Sequence, residues 1–449
     1  MDLTALIKRA ESFLQRFYKN LYNHHRAIKP SISLSQAFEA AAIFDLETVT
    51  GLRNELQTKS KADQLRRLFG FIASGFIRRH LLPSDQKLAC YYDQLSWPHT
   101  WAEHDALSPG QPLPTRPNNI LLAELALLYE ERWQQLNTLV TELGFDTPLG
   151  IYAFTTGLDP ILLKHAAQAY LEQTASAYLQ ALASIEQPMA DRWQLENYLR
   201  GETYRALFPA AELVPAMEDT LYHLGLDVTH QPNLALEVNQ ELSSRLSLAF
   251  PVRVPEEIYV CISPVAGIDA FENILGLGGM VMPRLLLSPK HDWRDRRLFD
   301  PALDAAYAEL FTGLMATATW RNDILGSAAA SDDLQAFCRL RQLYRLRLAA
   351  ARVCFAVDRC LGRNNWATIF EHALGVKHPP SAQVIDMGHM RNAFDTWRGM
   401  QVGARFAGSL ADTYGPTWYR HPDCGEALHN LFQSGPSRLE HLTGLLSTH

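Results

Sequence analysis

Apolar residues recur at three- and four-residue steps through most of this chain, and that period commits it to helices packed on helices. The opening "LTALIKRAESFLQRFYKNLY" shows it, and so does "NNILLAELALLYEERWQQLNTLVTELG", which ends on Gly144 as a helix stop. Asp159 and Pro160 form an N-cap and first-turn proline ahead of "ILLKHAAQAYLEQTASAYLQALASI". Near the end, "SRLE" at 437–440 has capping-box spacing. Strand signals are few: Ile258 to Ile262 is the best, and Val252 to Val254 a weaker second. The clearest breaker cluster is "SPGQPLPTRPNN" at 108–119. It divides an N-terminal helical region, 1–117, from a longer helical region, 118–449, with a small sheet near 250–263. The expected fold class is mostly α with one small sheet. At about 150 residues per domain, 449 residues amount to roughly three domain-sized masses.

Apolar residues make up 47% of the chain and charged residues 20%, enough for a large core. A net charge of −7 argues against a nucleic-acid partner, whose phosphates call for a basic surface. The six cysteines (Cys90, Cys261, Cys338, Cys354, Cys360 and Cys424) form no C-x-x-C pair, which predicts reduced thiols and a cytoplasmic protein. The start, "MDLTALIKRAESF", has no secretory pattern. The longest apolar runs, such as "LFGFIASGFI" at 68–77, are too short to span a bilayer, so no membrane partner is expected.

One helical stretch breaks the rules of helix composition. "FENILGLGGMVM", 271–282, follows the strand-like "EEIYVCIS" and holds Gly276, Gly278 and Gly279. Each glycine costs a helix interior about 1 kcal/mol against alanine. Two readings answer this: a neighbour packed against bare backbone, or a ligand that approaches it. A third reading, a phosphate loop, is weak, because Val281 stands where G-x-G-x-x-G needs its last glycine.

Other constellations are weaker. His99 and His104 in "HTWAEH" are five apart and do not share a helix face. "HPDCGEALH" gathers His421, Asp423, Cys424, Glu426 and His429, and reads as an exposed loop and helix start. No Gly-x-Ser-x-Gly elbow is present. Cys354 and Cys360 sit on an apolar-patterned helix and read as core thiols. In "RLRQLYRLRLAAAR", Arg341, Arg345 and Arg352 share a helix face, either solvated, paired with internal acids, or forming an anion site.

From about 205 to 320 the chain resembles the zinc metallopeptidases of the thimet oligopeptidase, oligoendopeptidase F and carboxypeptidase Taq type. "FPVRVPEEIYVCISPVAGIDAFENIL" looks like their strand and the entry to their H-E-x-x-H helix, and "FDPALDAAYAELFTGLMATATW" like the helix that supplies the glutamate ligand. "LGFDTPLGIYAF", "LFPAAELVPAMEDTLYHLGLDV" and "TWRGMQVGARFAGSLADTYGPTWYRHPDCGEALHNLF" extend the likeness over most of 120–445. The resemblance implies a two-lobed clamshell with a deep cleft. It lays the first histidine on Gly276, the catalytic glutamate on Leu277, the second histidine on Met280 and the third ligand on Ala305. None of these can hold zinc or activate water, so no metal and no cofactor is expected. In this frame Gly279 falls where the family often has glycine, and only Gly276 and Gly278 call for a special reason. Glu272, Asn273, Glu309 and Arg398 are the polar residues that the resemblance puts beside the cleft, as candidate ligand-binding groups. The expectation is an inactive pseudopeptidase whose cleft takes a peptide, another elongated or small molecule, or a protein partner. The alternative is a zinc-independent enzyme with rebuilt chemistry in the same cleft, in a setting such as a specialised biosynthetic pathway.

Overall fold

The structure is a computed structural model and describes residues 2–26, 38, 41–58, 63–95, 119–239, 247–435, 439 and 442. The breaker cluster up to residue 118, His99, His104, the expected division at 117/118 and most of the 437–440 cap lie outside the described residues.

Helices α1 (Leu3–His25), α2 (Leu46–Thr58), α3 (Asp63–Leu95) and α4 (Asn119–Glu142) come first. They are followed by α5 (Pro148–Thr156), α6 (Pro160–Ala183), α7 (Arg192–Leu199) and α8 (Leu213–Tyr222). Strands β1 (Leu234–Val238), β2 (Leu248–Arg253) and β3 (Glu257–Ile262) form the sheet. The remaining helices are α9 (Ile268–Leu286), α10 (Trp293–Arg297), α11 (Pro301–Thr312), α12 (Ala318–Leu325) and α13 (Asp332–Cys360). Last come α14 (Trp366–Leu374), α15 (Gln383–His389), α16 (Ala393–Tyr414) and α17 (Pro422–Gln433). The fold is therefore mostly α with one small sheet, as the periodicity predicts. No helix among the described residues is long and apolar enough to cross a membrane.

The local signals act as read. The Asp159 carboxylate accepts from the Ile161 N–H at 2.8 Å and Pro160 opens α6. Asp159→Ala is expected to cost about 1 kcal/mol, read by thermal unfolding, because it leaves first-turn N–H groups without their acceptor. Gly144 follows α4 at φ +77°, a left-handed conformation that glycine adopts without strain.

The sheet corrects the sequence reading. β3 is central, with β2 antiparallel on one side and β1 parallel on the other, in register from Leu234 opposite Ile258 to Val238 opposite Ile262. β1 was not expected. "LALEV" is rich in helix formers, and only its pairing with a strand two dozen residues later makes it extended.

Two buried clusters make up most of the core. The larger takes in Leu88 of α3, the helices from α4 to α17 except α10, and β3. The smaller joins α1, α2 and α3 around Phe13, Phe44 and Phe69, and takes in Leu139, Leu143, Trp293 and Leu298 from later in the chain.

Candidate functional site

Gly267 turns the chain from the sheet into α9. Its φ of +122° suits glycine, and its N–H donates to the Phe208 carbonyl at 2.9 Å. α9 then runs unbroken through the glycine stretch, with Gly276, Leu277, Gly278 and Gly279 all buried. The expected second helix is shorter than predicted: α11 ends at Thr312, and a 3₁₀ turn over Gly313–Ala316 separates it from α12.

The glycines are contact points between helices. A Cβ on Gly279 would stand 2.2 Å from the Tyr307 carbonyl oxygen of α11. One on Gly278 would stand 3.0 Å from Leu221 Cδ1 of α8. One on Gly276 would stand 3.1 Å from Thr312 Oγ1 and 3.5 Å from the Ala308 Cβ. Close packing therefore accounts for all three, and the tightest approach is at Gly279, where no special reason was expected. The far side of α11 repeats the device. A Cβ on Gly399 of α16 would lie 2.4 Å from the Ala305 Cβ, and one on Gly403 would lie 2.3 Å from the Ala306 carbonyl oxygen.

This packing places the four residues on which the metal ligands and base were laid. Gly276 faces Thr312 and Ala308, Leu277 is in the core, Met280 is half-buried, and Ala305 is half-buried against Gly399. Zinc is held by imidazole, thiolate or carboxylate. These residues offer at most a thioether, a poor zinc ligand, and so do not fit the metal. Among the described residues no three His, Cys, Asp or Glu side chains are grouped to hold a metal ion.

The polar candidates separate into three places. Glu272 and Glu309 come together, bridged by α13. Arg341 forks onto Glu272 at 2.8 and 2.9 Å and also pairs with Asp269 and the Leu199 carbonyl. Arg345 reaches Glu309 at 2.8 Å and Glu272 at 3.5 Å, and Gln342 donates to Glu309 at 3.1 Å. Burial pushes the Glu272 carboxyl up to about 7, the Arg345 charge opposes the rise, and the Glu309 charge adds to it. The Arg341 fork favours the ionised form in the same sense as Arg345.

Asn273 is not part of this cluster: its side-chain oxygen accepts from the Ser247 N–H at 3.1 Å, a tie to the start of β2. Arg398 is also elsewhere. It pairs with Asp300 at 2.6 Å and Asp395 at 3.2 Å and donates to the Tyr152 hydroxyl. Asp300 precedes α11 while Glu309 lies near its end, about 13 Å along the axis.

Of the readings for the basic run, pairing with internal acids is what the structure has, with Arg352 beside Asp386 at 3.5 Å completing the row. Asp269 and Gln342 were missed. Their signal was matched spacing: acids at 269 and 272 on one helix, arginines at 341 and 345 on another. Cys354 is a core thiol and Cys360 a half-buried one packed against the core, each pushed up to about 12 by burial. The "HPDCGEALH" stretch is less exposed than expected, since Cys424 is buried in α17 and a Cβ on Gly425 would meet the Leu224 carbonyl at 2.2 Å.

No protein-family model matches the chain, and no curated protein matches it in sequence. Solved structures do match its fold. An M32 carboxypeptidase from Deinococcus radiodurans R1 superposes with a TM-score of 0.60 at 11% identity, over 98% of this chain and 95% of that one. A carboxypeptidase from Pyrococcus furiosus gives 0.53 at 9%, over 98% of each chain. Metallocarboxypeptidase 1 from Trypanosoma cruzi gives 0.54 at 12%, over 98% and 96%. At such identities the likeness is one of fold. The chain has the fold of the M32 carboxypeptidases.

Proposed function

We propose that this chain is a pseudopeptidase: a metallopeptidase scaffold whose metal helix has become a packing helix, with the cleft retained to bind a peptide, a small molecule or a protein partner. One observation carries the reading. The positions laid on the ligands and base are Gly276, Leu277, Met280 and Ala305, and the side of α9 that a metal would need at Gly276 is closed by Thr312 and Ala308. In this reading residues 1–117 form one wall of the cleft and 118–449 the other. Cys261, Cys338, Cys354, Cys360 and Cys424 are free thiols, in keeping with a cytoplasmic setting.

Protein purified without chelator from zinc-supplemented medium is expected to carry well below one equivalent of zinc and to cleave no short peptide in a chelator-sensitive way. Both are read together, by elemental analysis and by peptide digestion followed by mass spectrometry. Stoichiometric zinc bound at α9 and α11, or a chelator-sensitive activity that co-purifies, sinks the proposal.

A second reading, an enzyme without zinc, is favoured by a specific group. Glu272 is a largely buried carboxyl, 14% exposed, pushed up to about 7 beside a second carboxylate and two arginines, the kind of perturbation found where proton transfer is done. Under that reading Glu272→Gln abolishes turnover of a cleft substrate while leaving the fold intact; under the first it leaves ligand binding in place.

A further inference from the structure

A cavity of about 230 Å³, with no lining residue from α9 or α11, lies between α1, the β2–β3 hairpin and α10. Its walls carry Glu11 and Gln15 from α1, Val252 and Val254 from the hairpin, and Trp293 and Arg297 from α10. Water takes about 30 Å³ per molecule in the liquid, so the space suits a molecule of several heavy atoms rather than one or two waters.

The charges around it are unevenly matched. Arg253 is paired with Glu257 at 2.9 Å. Arg296 is held by the His291 carbonyl at 3.1 Å, the Val254 carbonyl at 2.5 Å and Glu256 at 3.3 Å. Arg297 differs. It donates from Nη1 to the Pro251 carbonyl and lies over the Tyr18 ring, 5.0 Å from its centroid. Among the described residues it has no carboxylate partner, and Nε and Nη2 make no hydrogen bond. Burial pushes its guanidinium down to about 10; Tyr18 and the Glu11 charge oppose that shift, and the Arg284 and Arg296 charges add to it. Glu11 likewise makes no ion pair or side-chain hydrogen bond among the described residues.

One cavity thus presents an unmatched guanidinium, an unmatched carboxylate and an apolar wall. A lone anion satisfies only Arg297 and is repelled by Glu11; a lone cation has the reverse problem. We propose that this cavity binds a small zwitterion of the amino-acid class. Its carboxylate takes the free fork of Arg297 and its ammonium group takes Glu11, with Gln15 alongside. Its side chain lies on Trp293, Val252 and Val254. The site is independent of the pseudopeptidase reading, and neither stands or falls with the other.

The test is calorimetric titration of the full chain with L-leucine, L-methionine and L-phenylalanine, alongside 4-methylpentanoate, leucinamide and inorganic phosphate. At least one amino acid is expected to bind and to change tryptophan emission, a change that Trp293→Phe removes. For leucine, loss of either charged group, as in 4-methylpentanoate or leucinamide, is expected to weaken binding about tenfold or more. Glu11→Gln is expected to weaken leucine but not 4-methylpentanoate, which singles out the ammonium contact. Arg297→Lys keeps the charge, loses the fork and is expected to weaken both; circular dichroism checks that it folds. No binding by any of the three amino acids at about 10 mM overturns the proposal. So does phosphate binding as tightly as the amino acids with no effect of Glu11→Gln, since the cavity is then a simple anion site.

Discussion

Arg341→Met is expected to destabilise the protein by about 3–5 kcal/mol, the cost of leaving buried charge without its partner. Arg341 is 2% exposed and Asp269 3%, and the guanidinium answers Asp269, both oxygens of Glu272 and the Leu199 carbonyl at once. Urea denaturation measures the loss. Replacing the acids as well, in Arg341→Met with Asp269→Asn and Glu272→Gln, is expected to recover part of it, because no uncompensated charge remains. The effect depends on pH with a definite sign. The folded Glu272 carboxyl holds its proton to about 7, against an ordinary value of 4.5. Between those values the folded state binds more protons than the unfolded one, so Glu272 makes stability fall as pH rises through that window. Without Arg341 the ionised acids lose their main counter-charge and protonation relieves them. The variant is therefore expected to lag wild type further at about pH 8 than at about pH 5. A gap that is flat across this range, or below about 1 kcal/mol throughout, rules out the cluster as a charged network.

Gly279→Ala is expected to be severe where Gly276→Ala is mild. The new Cβ at 279 would lie 2.2 Å from the Tyr307 carbonyl oxygen and 2.8 Å from its carbon, backbone atoms that move only if α9 and α11 part. A loss of about 1–3 kcal/mol or more is expected, even after the gain of about 1 kcal/mol in helix propensity. At 276 the nearest atom is the Thr312 hydroxyl at 3.1 Å, on a side chain that can turn, so gain and strain are expected to offset within about 1 kcal/mol. Thermal unfolding of the two variants decides. If both are tolerated alike, α9 and α11 are looser than their contacts indicate, and a ligand approaching the glycine backbone again becomes the better account of the stretch.

Much of this architecture is local in origin and so was legible. The three- and four-residue period marks helices because each turn must bury one stripe. Asp159 and Pro160 start α6, and Gly144 follows the end of α4, by chemistry contained in a few residues. β3 declares itself by "IYVCI". The likeness to metallopeptidases rested on the same kind of signal, a strand entering a helix with a second helix to follow, and the fold is the one it implied. The glycines announced close packing without saying against what.

What the sequence left open were matters of partnership. β1 is extended because β3 lies beside it, a pairing that its helix-forming residues oppose. Glu272 and Asn273 are neighbours on α9, yet one meets the arginines of α13 and the other turns to Ser247. Arg398 was grouped with Glu309, although α11 holds its partner Asp300 and Glu309 far apart along its length. Arg341 and Arg345 carry the same charge in any fold; they link α9 and α11 only because α13 brings them within reach of Glu272 and Glu309. A sequence determines by itself what acts within a turn or two of chain, since those atoms meet in any compact state. Which acid meets which arginine, and which glycine meets a carbonyl, is decided by how whole helices stack, and only the tertiary structure contains that.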